Sequence, residues 1–324
     1  MIVCYANGDG LGHLTRVRAY LHTRSLLAPV RDEPITILTG SPFAGDPRVT
    51  GGHPVLSAPG GLDRAGLTRW IRATLAGLRP AELVVDAFPA GLAGELTARA
   101  IPAGTRVVHL ARLLRWDAYR PLLPPEPPGF AETWLVEPVT AEHEAYLRSV
   151  SAMVAPLELI EPPVGSGTGA PGAPRGTPTT MPEGWLIVHA GPVPEVTELI
   201  GYAREMADLE GVRPRLALIS PHPPDPLPPD LAHLDVYPAW PLFASAERII
   251  TAAGCNIVRQ LARWPGQHRV LPFPRRFDDQ FARAARVRAR AVRSFTANPV
   301  RYGTAGQCQT AEPPPSTGST APWM

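Results

Sequence analysis

Short apolar runs alternate with longer stretches of helical periodicity along most of the chain. Strand-like runs stand at Ile2-Val3-Cys4-Tyr5-Ala6, Ile35-Thr36-Ile37-Leu38, Glu82-Leu83-Val84-Val85-Asp86, Arg106-Val107-Val108-His109-Leu110 and Thr133-Trp134-Leu135-Val136. Between them the spacing predicts helices over about 13–27, 64–78, 91–100 and 141–149. Strands alternating with helices argue for a parallel sheet covered by helices. From Glu161 to Pro182 the pattern stops, and the chain is almost entirely Pro, Gly, Thr, Ser and Ala. Such a stretch cannot bury apolar surface and reads as a linker or a long disordered loop. The alternation resumes at Trp185-Leu186-Ile187-Val188-His189, with strands at 216–219, 234–237, 248–251 and 269–271 and helices near 195–209, 255–263 and 277–295. The organisation expected is an α/β domain over 1–160, a linker over 161–182, a second α/β domain over 183–298 and a disordered tail over 299–324. Each open parallel sheet places its ligand loops at the carboxyl ends of its strands.

Composition narrows the chemistry. The 324 residues are 44% hydrophobic and 19% charged, enough apolar material for two cores. A net charge of +2 gives no ground for a nucleic-acid partner. All 31 basic side chains are arginine, which excludes a Schiff-base lysine and a P-loop lysine. Cys4, Cys255 and Cys308 stand far apart without a CxxC pair, so neither a disulfide framework nor a zinc site is expected and a reducing compartment fits. The chain opens straight into a strand and contains no run of about 18 uncharged apolar residues. A soluble, cytoplasmic protein without metal or other cofactor is the expectation.

Three loops carry candidate chemistry. Gly8-Asp9-Gly10-Leu11-Gly12-His13-Leu14-Thr15-Arg16 follows the first strand and opens the first helix. Its glycines let backbone approach a ligand, and the helix start offers free N–H groups to an anion or a developing oxyanion. The spacing is GxGxG and the second strand ends in Thr39-Gly40 with no acidic residue for a ribose, which disfavours a dinucleotide. His13, in the first turn, is placed to reach a cleft in its neutral form as a general base; the alternative is a packing or capping histidine. Asp9 is either a second base or a turn former. The second loop, Ile249-Ile250-Thr251-Ala252-Ala253-Gly254-Cys255-Asn256, leads into a helix on which Gln260 shares the polar ridge with Asn256. Gly254, Cys255 and Asn256 sit where helix N–H groups can hold a diphosphate without a metal; the alternative is an ordinary strand–helix corner. The third loop, 271–280, offers Asp279 and Gln280 to sugar hydroxyls. Beyond it Phe277, Phe281, Ala284 and Ala291 are expected to face the core, and Arg283, Arg286, Arg290 and Arg293 to form a solvated stripe. A second reading of that stripe is peripheral contact with an anionic membrane surface.

Together these segments resemble the GT-B glycosyltransferases of family 28, which includes the N-acetylglucosaminyltransferase of peptidoglycan synthesis. Gly8 to His13 is similar to that family's N-terminal glycine-histidine loop. Gly254-Cys255-Asn256 to Gln260, with 271–284, is similar to its C-terminal signature. Phe88-Pro89 and Gly91 resemble an uncharacterised branch of predicted glycosyltransferases. The resemblance implies two Rossmann-like domains facing a central cleft. It places Gly254, Cys255 and Asn256 near the donor diphosphate, Asp279 and Gln280 on the donor sugar, and Gly8, Gly10, Gly12 and Arg16 on the acceptor side, with His13 at the reacting centre. Gln260 stands where the family usually has a ribose-gripping Glu. His189-Ala190-Gly191-Pro192, with Gly191 as the donor-side glycine, replaces a glycine-serine loop, and Pro192 removes one N–H donor. The expected activity is an inverting, metal-independent transfer from a UDP-sugar to an acceptor the sequence does not identify. The alternatives are a UDP-sugar hydrolase, since Gly10 to Arg16 also looks like a GxGHxxR loop, and a nucleotide-sugar-binding protein without catalysis.

Overall fold

The computed structural model describes residues 1–27, 33–164 and 184–297. Of the expected linker only 161–164 fall within them, and the expected tail lies outside the described residues, as does Cys308. The first half contains β1 (Ile2–Tyr5), α1 (Leu11–Leu27), β2 (Ile35–Thr39), α2 (Pro47–Thr50), β3 (Val55–Ser57), α3 (Arg64–Leu78) and β4 (Glu82–Ala87). It continues with β5 (Arg106–Ala111), α4 (Trp116–Tyr119), β6 (Glu132–Leu135), α5 (Ala141–Val150) and β7 (Val154–Pro156). The second half contains β8 (Trp185–Val188), α6 (Val193–Leu209), β9 (Leu216–Ile219), β10 (Leu231–His233), β11 (Arg248–Ala252), α7 (Cys255–Gln260), β12 (His268–Leu271) and α8 (Gln280–Ala297).

All strands run parallel within two separate sheets, ordered β3-β2-β1-β4-β5-β6-β7 and β10-β9-β8-β11-β12. Parallel sheets survive only when both faces are covered, and the burial shows it. Ile2 and Cys4 of β1 pack into one core cluster, while Val3 and Tyr5 pack into another on the opposite face. Trp185 and Ile187 of β8 divide from Leu186 in the same way. In each sheet the strand order reverses beside the first strand, at the β1/β4 and β8/β11 pairs. The loops leaving those pairs are the places where an open α/β sheet leaves a crevice for a ligand.

Several predicted elements come out differently. Over 91–100 there is no α-helix, only turns and a 3₁₀ turn at Ala98–Ala100. Gly91 and Gly94 take φ of 79° and 74°, and a Cβ on Gly94 would lie 1.9 Å from the Leu122 carbonyl oxygen. The chain bends there so that Glu95, wholly buried, can accept from the amides of Leu92 and Ala93 and from Tyr5. The run 234–237 is not a strand: the pairing slides to Leu231–His233, and Asp235, Val236 and Tyr237 instead line a cleft. The short β3 and β7 carry too few residues for a periodicity to be read.

The arginine stripe on α8 needs correction. Arg283 is 2% exposed and Arg286 donates to the Pro138 carbonyl at 2.7 Å, so these two do not form a free solvated stripe. Phe281, expected in the core, is 58% exposed, whereas Phe277 and Ala284 are buried. Among the described residues no helix is long and apolar enough to cross a membrane.

Gly94→Ala should lower the urea midpoint by the equivalent of more than about 2 kcal/mol, because left-handed strain adds to a backbone clash. Gly104→Ala, with φ 84° and nothing within 4 Å, should lose only about 1 kcal/mol. Equal losses at the two positions would show that the Leu122 contact contributes nothing.

Candidate active site

The two sheets face each other across a cavity of about 810 Å³. Its first wall is the loop after β1. A Cβ on Gly8 would fall 2.4 Å from the His13 ring, so the glycine is what lets the imidazole lie over the backbone. His13 Nδ1 sits 2.7 Å from Asp86 Oδ2, and Asp86, at the end of the paired strand β4, is buried. Arg16, one helical turn beyond His13, fixes the same carboxylate from Nε to Oδ1 and from Nη2 to Oδ2, both at 2.6 Å. Burial alone would raise the Asp86 pKa, but the Arg16 charge and the His13 hydrogen bond outweigh it and hold it down at about 2. Burial pushes the His13 pKa below its ordinary value, and the Asp86 contacts only partly offset this. At neutral pH the ring is therefore uncharged, its Nδ1–H donating to Asp86 and its Nε2 lone pair left for a proton.

Behind Asp86 the chain turns abruptly. Ala87 has φ 63° and Phe88 N donates back to the Asp86 carbonyl at 2.7 Å, closing a γ-turn. That turn sends Phe88 to within 5.7 Å of the His13 ring, where it also meets Tyr119 and, edge-on, Phe277 from the other half.

The second wall is the β11–α7 corner. Gly254 is the N-cap of α7 and no side chain caps the helix. Its φ is −70° and an added Cβ would touch only Ile257 at 3.7 Å. Neither backbone angle nor packing demands a glycine here; its effect is bare backbone facing the cleft. Asn256 donates from Nδ2 to the Gly12 carbonyl at 2.7 Å, joining the two loops, while its buried Oδ1 has no partner. Cys255 is buried, and burial with Glu137 nearby pushes its thiol up to about 12, so it is no thiolate.

Other predicted residues divide. Gly10, Gly12, Gly191, Gln260 and Gln280 line the cavity, and Asp9 stands exposed at its rim. Gln260 donates to Glu161 at 2.9 Å and the Gln280 carbonyl oxygen accepts from Phe273 N at 3.0 Å. Asp279 is not on the cavity wall; its Oδ1 accepts from Ala282 N and starts α8. Its neighbour Asp278 faces the cleft instead, paired with Arg112 and, at 2.9 Å, with Arg283. Arg283 also grips Glu137 through two nitrogens, each at 2.7 Å, and donates to the Ala253 carbonyl. Thr15 meets Tyr237 at 2.9 Å across the same interface. Asp86, Arg112, Glu137 and Tyr237 join this region without belonging to any of the three loops. Only Asp86 left a signal, a charged residue closing an apolar strand run where a parallel sheet carries its ligand loop. Among the described residues no group of three His, Cys, Asp or Glu is placed to hold a metal ion.

No protein-family model matches the chain, and no curated protein does. Solved structures do. The glycosyltransferase SsfS6 of Streptomyces sp. SF2575 superposes with a TM-score of 0.53 at 12% identity, over 90% of this chain and 85% of that one. Its complex with thymidine diphosphate gives 0.54 at 11% identity, over 91% and 86%. The spinosyn rhamnosyltransferase SpnG gives 0.51 at 14% identity, over 90% and 84%. The likeness establishes the fold: this chain has the GT-B architecture of two Rossmann-like, all-parallel domains.

Arg283→Met should destabilise the protein by about 3–5 kcal/mol, because Glu137 would lose its cation while Asp278 kept only Arg112; chemical denaturation reads this directly. The pH dependence has a definite sign. His13 and His189 are lowered, and His109, His268 and His143 are lowered to about 4, 4 and 3, all chiefly by burial. The unfolded chain therefore binds more protons below about 6.5. Asp86, held down at about 2, and Glu137 and Asp278, also lowered, contribute stability that is whole above about 5 and lost progressively on further acidification. Unfolding free energy should thus be flat above pH 7 on account of these groups and fall steadily on acidification; a maximum near pH 5 would contradict the assignment.

Proposed function

We propose that this protein is a glycosyltransferase that moves a sugar from a nucleoside-diphosphate donor to an acceptor hydroxyl with inversion. The observation that carries the reading is the pairing of two unlike ends across one cavity. A neutral histidine backed by a buried carboxylate stands at the switch point of the first sheet, and an uncapped stretch of bare backbone stands at that of the second. His13 would take the proton of the acceptor hydroxyl on Nε2 as that oxygen attacks the anomeric carbon. Asp86 would hold the Nδ1 proton and offset the charge gained by the ring. The carbon–oxygen bond to the diphosphate breaks on the opposite face, and the amides from Gly254 into α7 would receive the negative charge of the leaving group. Gly8, Gly10, Gly12 and Arg16 belong to the acceptor side, Gly191, Cys255, Asn256, Gln260 and Gln280 to the donor side. Asp9, at the rim, is assigned to the turn and not to proton transfer. The thymidine diphosphate complex of SsfS6 supports a pyrimidine nucleotide as donor, uridine- or thymidine-linked.

His13→Ala should cut turnover about 10²- to 10⁴-fold while the Kd for the nucleoside diphosphate changes little. Unaltered turnover in the variant would remove His13 from the chemistry. Release of nucleoside diphosphate from the donor at full rate without any acceptor would replace transfer by hydrolysis at the same histidine.

A further inference from the structure

The donor-side wall carries a second cluster of polar side chains that the transfer chemistry does not use. His189 follows β8, Glu195 lies in the first turn of α6, Arg275 lies between β12 and α8, and all three line the cavity. Arg275 grips Glu195 with Nη1 on Oε1 at 2.6 Å and Nη2 on Oε2 at 2.5 Å, and His189 Nε2 lies 2.7 Å from Oε2. Gly191 makes the arrangement possible, since a Cβ there would fall 2.2 Å from His189 Nε2 and 2.8 Å from Glu195 Oε2.

The cluster is not built for a phosphate. Pro192 and Pro194 have no N–H to give, the amides of Glu195 and Val196 already point at the Pro192 carbonyl, and a carboxylate occupies the first turn. Within the cluster His189 helps to hold Glu195, its Nε2 committed to the carboxylate and its ring kept neutral by burial. Carboxylate and guanidinium cancel in charge. What is left is hydrogen-bonding capacity: Glu195 Oε1 accepts from Arg275 alone among the described contacts, and Arg275 has N–H donors beyond those spent on Glu195 and the Pro274 carbonyl. Asp279 starts α8 away from the cavity and the Gln280 carbonyl is taken by Phe273 N, so neither supplies this acceptor. A neutral site offering one strong acceptor beside a donor matches two adjacent hydroxyls of a hexose.

We propose that Glu195, held in place by Arg275 and His189, reads the donor's sugar, accepting from one hydroxyl while Arg275 donates to its neighbour. This rests on the transferase reading of the same cleft. Calorimetric titration of the full chain with UDP, UDP-glucose, TDP and TDP-glucose tests it. Glu195→Gln and Arg275→Lys should each weaken the hexose-bearing nucleotide about tenfold or more and leave the bare diphosphate within about twofold. A donor analogue lacking the hydroxyl at C3 or C4 should lose affinity for the unaltered chain and lose nothing further in Glu195→Gln. Arg275, about a third exposed, keeps its charge as lysine, so that variant reports even if Glu195→Gln fails to fold. Equal weakening of diphosphate and nucleotide-sugar would overturn the proposal, as would no change in either. If the unaltered chain binds none of the four ligands, the transferase reading falls with it; if it binds diphosphate and sugar-nucleotide but the variants do not tell them apart, this inference falls alone.

Discussion

Asp86, Glu137 and Asp278 put three buried or nearly buried carboxylates in and behind the wall of one cleft, where an ionised carboxylate needs a cation in contact. Arg16 of α1 answers the first from within the same half of the chain. The other two are answered across the interface, Arg283 of α8 reaching back to Glu137 and Arg112 of the first half reaching forward to Asp278. The pairing is thus interlocked, since each half lends an arginine to the other half's acid. Hydrophobic contact alone would let the two sheets slide. The bidentate Arg283–Glu137 contact and the Arg112–Asp278 pair, with Arg115 N donating to the Phe277 carbonyl at 2.7 Å, fix one orientation, and with it the distance between the His13 wall and the Gly254 wall.

Both walls are built to one plan. In each sheet a histidine follows the first strand, a glycine gives up its side chain so that the ring can settle, and an arginine-bound carboxylate holds the ring nitrogen. His13 with Gly8, Asp86 and Arg16 is one instance; His189 with Gly191, Glu195 and Arg275 is the other. They differ in which nitrogen is engaged. His13 is held by Nδ1 and keeps Nε2, whereas His189 is held by Nε2.

The architecture was legible because parallel strands buried on both faces leave unbroken apolar runs, as at Leu83-Val84-Val85 and Leu186-Ile187-Val188. The same logic hides short edge strands such as Val154–Pro156, and it cannot foresee that Gly91 and Gly94 turn a helix-like stretch into a loop around Glu95. The two glycine loops were legible because their composition is a local matter. Their partners were not, because Asp86, Glu137 and Arg112 stand about 70 to 170 positions from the groups they neutralise. Arginines three and four apart on α8 read as a wet face from spacing alone, and only the fold reveals that Arg283 points into an acid pair.

The reverse turn at Ala87 restricts that position severely. A left-handed angle is strained for any residue with a side chain, by about 1–2 kcal/mol. The residues that tolerate it best after glycine are asparagine and aspartate, yet the site is sealed and would leave their polar groups without water. Alphabet size at this one place shrinks to the two smallest amino acids, and the direction in which β4 ends beside His13 is set by a residue that does not line the cavity.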